Sequence, residues 1–388
     1  MEDVVTYRYL ALERVVFGQS ATSAILAEVN RIERRRVFVV TSRSVASSAP
    51  FTKILDALGE RCVGIYSEVT AHGPRECVIQ GSAVARLAEP DLLVAIGGGS
   101  VIDAAKLMLL CLRHDIANVN GLDTYRGFPA SDPSVRPVDE ARWLRLVAIP
   151  TTLSAAEFTW FGGAFDTERR VKDPYGHPMM VPQAIILDPA MTLATPLPLL
   201  LSTGMKAVDH AAERLASLLV EPLTEALAAQ ALRLLSRGLP RVLEDPADLD
   251  SRLDCQKGMA IAMAGPSAGV GVGASHAIGH VLGGHSSVAH GHTSCVLLPS
   301  VMTWNRVANE DRQKCVSDAL GRPGVDAAAA LSELVARLRL PQRLRDVGVR
   351  REEFPAIAEK VLHDFAIRSN PRPVTAPAQV IEILDLAW

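Results

Sequence analysis

Five of the ten histidines, His276, His280, His285, His290 and His292, fall within 17 consecutive residues, a density that core packing does not explain. Imidazole carries protons near neutral pH and ligates divalent metals, so this segment reads as a reaction centre. His276 and His280 are four residues apart, which puts them on one face of a helix, and His290 follows a turn-like stretch just before Gly291. A second pair with the same spacing, Lys206 and His210, follows Ser202-Thr203-Gly204, and His210 is placed to join the first group. Three such histidines would suit a divalent ion. Cys295 lies nearby, but its neighbours Val296, Leu297 and Leu298 point to burial rather than reactivity.

A second chemical signal is Gly97-Gly98-Gly99-Ser100-Val101-Ile102-Asp103-Ala104-Ala105-Lys106, which joins an apolar strand-like run, Leu92 to Ile96, to a helical pattern. Three glycines without Cβ let backbone N–H groups approach an anion, and the helix that follows aims its positive end at the same point. The spacing is neither GxGxxG nor a Walker loop, yet the strand–turn–helix context predicts nucleotide phosphate binding. Asp103 and Lys106 are expected to brace this turn or to form a surface ion pair. The run Gly269-Val270-Gly271-Val272-Gly273 imitates a dinucleotide fingerprint inside a helical region with no preceding strand, so close helix packing explains it better.

The elements that must position these groups follow from periodicity. The first half alternates strand-like Arg36 to Thr41, Cys62 to Tyr66 and Leu92 to Ile96 with helical Ser48 to Leu58 and Arg75 to Ala88. That rhythm predicts a parallel, Rossmann-like sheet covered on both faces, with ligands at the carboxyl ends of its strands. Residues from about Asn118 to Arg142 read as a long loop before a strand Leu144 to Ile149, and Phe161 to Asp166 with Gln183 to Leu187 flank a charged tip, Thr167 to Asp173. After Asp188-Pro189 the pattern is helical: Thr203 to Val220, Leu223 to Leu235, Gln256 to Leu282 and Ala327 to Leu338. The predicted division is an α/β domain over 1–187 and an all-α domain over 188–388 that carries the histidines. Strand-like Val4 to Arg8 is expected either to complete this sheet or to pair across a two-fold axis.

Composition narrows the partners. Hydrophobic residues at 48%, charged residues at 21% and a net charge of -3 describe a globular protein without the basic excess that nucleic acid or anionic lipid favours. No apolar run reaches a membrane span and the start Met1-Glu2-Asp3 is acidic, so a cytoplasmic protein is expected. The six cysteines form no CxxC pair, which argues against a disulfide framework or a thiolate zinc site.

Taken in order, Phe17-Gly18, the Gly97 to Lys106 motif, Pro150-Thr151-Thr152 with Ser154, Glu157 and Thr159, Leu187-Asp188-Pro189, Ser202-Thr203-Gly204-Met205, and His276 through His280 to His290-Gly291 resemble the iron-containing alcohol dehydrogenase family, in particular its maleylacetate reductase branch. The resemblance spans nearly the whole chain. It implies the dehydroquinate synthase-like fold, with an active site in the cleft between an N-terminal dinucleotide-binding domain and a C-terminal helical one. It implies NADH or NADPH held by Gly98, Gly99 and Ser100 at the pyrophosphate, Thr151, Thr152 and Thr159 along the nicotinamide, Lys172 near the ribose and His72 toward the adenosine. Where many members carry an aspartate after the strand that ends at Thr41, this chain has Ser42 followed by Arg43, which implies use of both coenzymes.

The same resemblance places the metal ligands at His210, His276, His290 and an aspartate, but the aspartate position here is Lys206. An ammonium cannot ligate and repels a divalent ion, so no bound metal is expected, and Lys206 is expected to take over the ion's electrostatic task. The implied reaction is NAD(P)H-dependent reduction of a small oxo acid of the maleylacetate kind, with Lys206, His210 and His276 stabilising charge and His280 or His290 supplying the proton. The loop 118–142, Trp160-Phe161 and Tyr175-Gly176-His177 depart from the branch and leave other oxo acids or aldehydes open. Alternatives are an iron- or zinc-dependent alcohol dehydrogenase acting on a small alcohol or aldehyde, a dehydroquinate synthase-type lyase, and an inactive member. A homodimer is expected.

Overall fold

Runs rich in Val and Ile in the first half form strands because side chains branched at Cβ suit a pleated surface and lose rotamer freedom in a helix. The computed structural model describes residues 7, 9–127, 142–263, 265, 269–286 and 288–388, with the His290 side chain excepted. The expected strand Val4 to Arg8 (Tyr7 apart) and residues 128–141 of the expected long loop lie outside the described residues. The part of that loop just before them, Val119–Tyr125, is a run of tight helical turn.

Two compact units are present, Tyr9–Thr195 and a second that contains Pro196–Trp388. The boundary falls after Thr195 rather than after residue 187, because the turn Pro189–Thr192 is tied to the first unit. Asp188 accepts hydrogen bonds from the backbone of Ala21 (2.7 Å) and Ala190 (2.9 Å), and Thr195 Oγ1 donates to Thr151 O (2.7 Å).

The first unit runs β1 (Arg14–Phe17), α1 (Ala21–Arg31), β2 (Val37–Val40), α2 (Arg43–Ala46), α3 (Ala49–Leu58), β3 (Cys62–Tyr66), α4 (Arg75–Ala88), β4 (Leu92–Gly97), α5 (Gly99–Arg113), β5 (Arg145–Pro150), β6 (Phe161–Asp166), β7 (Val171–Gly176) and β8 (Ala184–Leu187). Six strands form one sheet in the order β1-β8-β5-β4-β2-β3, every pair parallel. Val37, Val39, Leu92, Val94 and Ile96 pack with α1 and α3, while Phe38, Val40, Leu93 and Ala95 pack with α4 and α5, so β2 and β4 are buried on both faces. The chain leaves β2 toward β3 and returns on the other side of β2 as β4. Their adjacent carboxyl ends are therefore a topological switch point, where ligands of such sheets bind.

One strand pairing differs from expectation. β6 pairs antiparallel with β7, from Phe161↔Gly176 to Asp166↔Val171, while β8 joins the large sheet. Pro174 inside β7 hid that strand, and its missing N–H is tolerated because only two strands pair here.

The second unit contains α6 (Leu197–Leu215), α7 (Pro222–Glu244), α8 (Leu249–Ile261), α9 (Ala274–His285), α10 (His290–Ala319), α11 (Ala327–Arg337), α12 (Phe354–Val361) and α13 (Pro377–Leu386). The stretch 256–282 is thus two helices and a break, not one helix. The glycine run lies in that break, with Gly269 at φ +76° and no room for a Cβ at Gly273, where one would sit 2.7 Å from Asn370 Oδ1. The left-handed backbone accounts for Gly269, and close packing accounts for Gly271 and Gly273. Among the described residues no helix is long and apolar enough to cross a membrane.

Candidate active site

The triple-glycine turn lies at the carboxyl end of β4, with Gly98 capping α5. None of the three glycines has a positive φ; closeness is what requires them. A Cβ on Gly97 would come within 2.7 Å of Val101, on Gly98 within 3.0 Å of Thr152, and on Gly99 within 2.9 Å of Ser154 Oγ. The N–H groups of Gly99 and Ser100 open the helix, before any carbonyl four residues back within it can receive them, and so form an anion cradle. Thr151 follows β5 directly, its N–H bonded to Gly97 O (3.0 Å), so Thr151 and Thr152 line the same turn.

Lys106 neither braces the glycines nor forms a surface pair. It is fully buried, and its Nζ donates to Ala156 O (2.5 Å), Thr159 O (2.5 Å), Thr159 Oγ1 (2.8 Å) and Phe161 O (3.0 Å). Thr159 is thereby committed to the ammonium, which is a different task from the expected nicotinamide contact. Asp103 instead binds Lys172 Nζ (2.9 Å), so the cation expected near the ribose already has a carboxylate partner. His72 stands at φ +65° with its ring near Phe165. Sequence reasoning gave Glu157 no role of its own, yet it is fully buried with neither carboxyl oxygen hydrogen-bonded among the described residues. Burial pushes its carboxyl up to about 7, and burial pulls Lys106 down to about 8 against the opposing pull of Asp103 and Glu157. Lys106→Met should therefore lower the unfolding free energy by about 3–5 kcal/mol and weaken dinucleotide binding. Urea unfolding with a loss below about 1 kcal/mol would contradict this anchoring role.

The histidines divide. His276 and His280 lie on α9, and His276 stacks on His210 of α6 with ring centroids 4.6 Å apart. His285 turns elsewhere, to Lys360 Nζ (3.0 Å) and Glu353 (3.9 Å). His292 is partly buried on α10, with no ring contact to the others among the described residues. The His290 side chain lies outside the described residues. Cys295 is buried, donates to Gly291 O (3.2 Å), and burial raises its thiol far above the ordinary range.

Beside the stacked pair, α6 buries Lys206, Asp209, Glu213 and Arg214. Lys206 Nζ has no hydrogen-bond partner among the described residues and lies 4.0 Å from Asp209 Oδ2. That oxygen accepts from Ser275 Oγ (2.9 Å) and Ser294 Oγ (2.6 Å). Glu213 accepts from the N–H of Gly273 (2.7 Å) and of Ser275 (2.8 Å) and meets His276 Nδ1 at 2.7 Å. Burial lowers the Lys206 ammonium below its usual value and raises both carboxyls, Glu213 to about 8. Burial, followed by nearby cations, holds His210 and His276 well below the usual imidazole range, so both rings are neutral. His280 is part-buried, and its Nδ1 meets Asp364 Oδ2 at 3.0 Å. Asp209, Glu213 and Asp364 escaped the sequence reading. The first two were findable, since positions 206, 209, 210 and 213 share one helical face.

Two sequence profiles cover the chain, one described as iron-containing alcohol dehydrogenase over residues 13–189 and one as the C-terminal part of the Fe-containing alcohol dehydrogenase family over 200–388. Maleylacetate reductase 2 of Cupriavidus pinatubonensis is 32% identical over 333 residues, 85% of this chain and 82% of that protein. This chain belongs to the iron-containing alcohol dehydrogenase family. Lactaldehyde reductase of Escherichia coli is 29% identical over 397 residues, 98% of this chain and 99% of that one. The crystal structure of a 1,3-propanediol oxidoreductase matches with a TM-score of 0.88 at 29% identity, covering 98% of this chain and 100% of the other. As a member of this family the protein is an oxidoreductase of the NAD(P)-dependent dehydrogenase type.

The family's coenzyme fits what is present, since the N–H groups that open α5 stand at the carboxyl end of β4, where an anion is held. Gly98, Gly99, Ser100, Thr151 and Thr152 would hold it. By the resemblance Lys206 takes the place of a metal-ligating carboxylate; it is buried 4.0 Å from Asp209 Oδ2, and an ammonium neither ligates nor attracts a divalent ion. Asp209, Glu213 and His276 do bring ligand-type atoms within 4.8 Å of one another. Their bonds to Ser275, Ser294 and the Gly273 and Ser275 backbone already engage Asp209 Oδ2 and both Glu213 oxygens, while Asp209 Oδ1, His210 Nδ1 and His276 Nε2 have no hydrogen-bond partner among the described residues.

Proposed function

We propose that this family member is a reductase of a small oxo acid, with maleylacetate as the leading candidate, and that the Lys206 ammonium does the electrostatic work that relatives assign to a metal ion. The observation that carries this reading is a buried ammonium with no hydrogen bond among the described residues. An unpaired buried cation is costly, and a substrate oxygen or carboxylate would satisfy it. The reduced nicotinamide, when bound, supplies the hydride.

Lys206 then opposes the negative charge that builds on the substrate oxygen, in a water-poor site where the interaction is strong. Asp209 holds the ammonium charged and in place through its two serine hydroxyls. The neutral His210 and His276 rings offer N–H groups without adding charge. His280 delivers the proton: the Asp364 carboxylate keeps hydrogen on Nδ1 and orients the ring. His290, at the start of α10, would be the alternative donor.

The test is consumption of NADH and NADPH by the purified chain against a panel of oxo acids and aldehydes, maleylacetate first, with chelator and with added zinc or ferrous iron in parallel arms. Turnover that resists chelator is expected. Activity that appears only with metal would overturn the ammonium reading and favour a metal-dependent alcohol dehydrogenase. No consumption of either coenzyme would overturn the reductase reading.

A further inference from the structure

The sequence suggested dual coenzyme use because Ser42 stands where a carboxylate is common and Arg43 follows it. The structure gives Arg43 a partner. Thr41 leaves β2 at its carboxyl end, with its hydroxyl on Ile96 O of β4 (2.7 Å) and its N–H on Tyr66 O of β3 (2.9 Å). Ser42 then forms an isolated antiparallel bridge with Glu68, two residues beyond β3. Arg43 Nε donates to Glu68 Oε2 at 2.7 Å, and a second guanidinium nitrogen meets the same oxygen. Ser67 Oγ donates to the other carboxylate oxygen at 3.3 Å.

The cluster of Ser42, Arg43 and Glu68 sits one strand away from the glycine turn, at the switch point between β2 and β4. In open parallel sheets this is where the ribose 2′ position of a dinucleotide is read: a carboxylate accepts from the 2′-hydroxyl, whereas a free arginine pairs with a 2′-phosphate. A lone Arg43 would be such an arginine. Held by Glu68 it has no net charge to offer, and its fork is already turned toward a carboxylate. A 2′-phosphate brought to the pair meets like charge from Glu68, while a 2′-hydroxyl finds an acceptor there.

We infer that Glu68 is a specificity-determining residue that makes the protein prefer NADH to NADPH, supplying from the end of β3 the carboxylate missing at position 42. This rests on the reading that the glycine turn holds a dinucleotide. The pair is exposed, with 81% of the Arg43 side chain and 43% of the Glu68 side chain accessible, so changing either leaves the core untouched.

Isothermal titration of the full chain with NADH and with NADPH, in the absence of substrate, tests it. The wild type should bind NADH at least about tenfold more tightly. Glu68→Gln should tighten NADPH by about tenfold and move NADH by less than about threefold, and the gain should vanish in the Arg43→Ala, Glu68→Gln double variant. Equal or tighter NADPH binding by the wild type would overturn the inference, as would a Glu68→Gln protein with an unmoved NADH/NADPH ratio. Binding of neither dinucleotide would overturn the coenzyme reading itself and this inference with it.

Discussion

Lys206→Met should lower kcat by about 10³ or more while the dissociation constant for the coenzyme and the midpoint of thermal unfolding stay near their wild-type values. A single neutral oxyanion donor is worth about 10²–10³ in rate, and a full positive charge in a desolvated site is worth at least as much. Methionine keeps the length and flexibility of the side chain, so packing on α6 is preserved. The fold tolerates the change because Asp209 keeps the hydroxyls of Ser275 and Ser294, and its carboxyl, raised by burial, takes up a proton once the ammonium is gone. Stopped-flow or steady-state reduction kinetics read the loss. Unchanged turnover would remove Lys206 from the chemistry. The reciprocal variant, Lys206→Asp, exchanges the cation for a carboxylate beside His210 and His276 and should gain stoichiometric zinc, measurable by metal analysis after dialysis.

Asp209→Asn is the second change with a large expected effect, and it acts through Lys206. An amide can still bond Ser275 and Ser294, so the local geometry survives, but the buried ammonium loses the counter-charge 4.0 Å away. Removing one partner of a buried ion pair costs about 3–5 kcal/mol because the remaining charge is left uncompensated. Turnover should fall by about 10², as a deprotonated or displaced lysine no longer opposes charge on the substrate. A purely structural role would predict the same stability loss, so the deciding measurement is a double-mutant cycle. In Lys206→Met, Asp209→Asn the stability should recover toward that of Lys206→Met, and activity should fall no further than in that single variant. Additive losses in both quantities would show that Asp209 acts independently of the lysine.

Several details of the site were legible in the sequence for local reasons. The glycine turn was recognisable because strand, glycines and helix are contiguous, and the sharing of a face by His276 and His280 follows from helical spacing alone. The β7 strand was not legible, because Pro174 breaks its strand signal and its partner strand supplies the hydrogen bonds. Nor was the fate of Lys106: its spacing from Asp103 suggested a pair, but the hairpin and the 151–161 segment fold over the helix and place four oxygen acceptors around the ammonium. His285 and His292 counted toward the cluster in sequence. Helix rotation sends His285 to α12, and no ring contact joins His292 to the group among the described residues.

By itself the sequence determined the α/β-then-helical order, the glycine turn between a strand and a helix, and a lysine at the position where the family resemblance implies a carboxylate ligand, because these depend on short-range periodicity, sterics and residue type. Tertiary structure decided what that lysine faces. Its counter-ion Asp209 is near in sequence, but the hydroxyls that hold Asp209 come from Ser275 and Ser294, and the carboxylate that orients His280 comes from Asp364. Burial then sets which of these groups carries charge, and burial is a property of the assembled helices rather than of any segment of the chain.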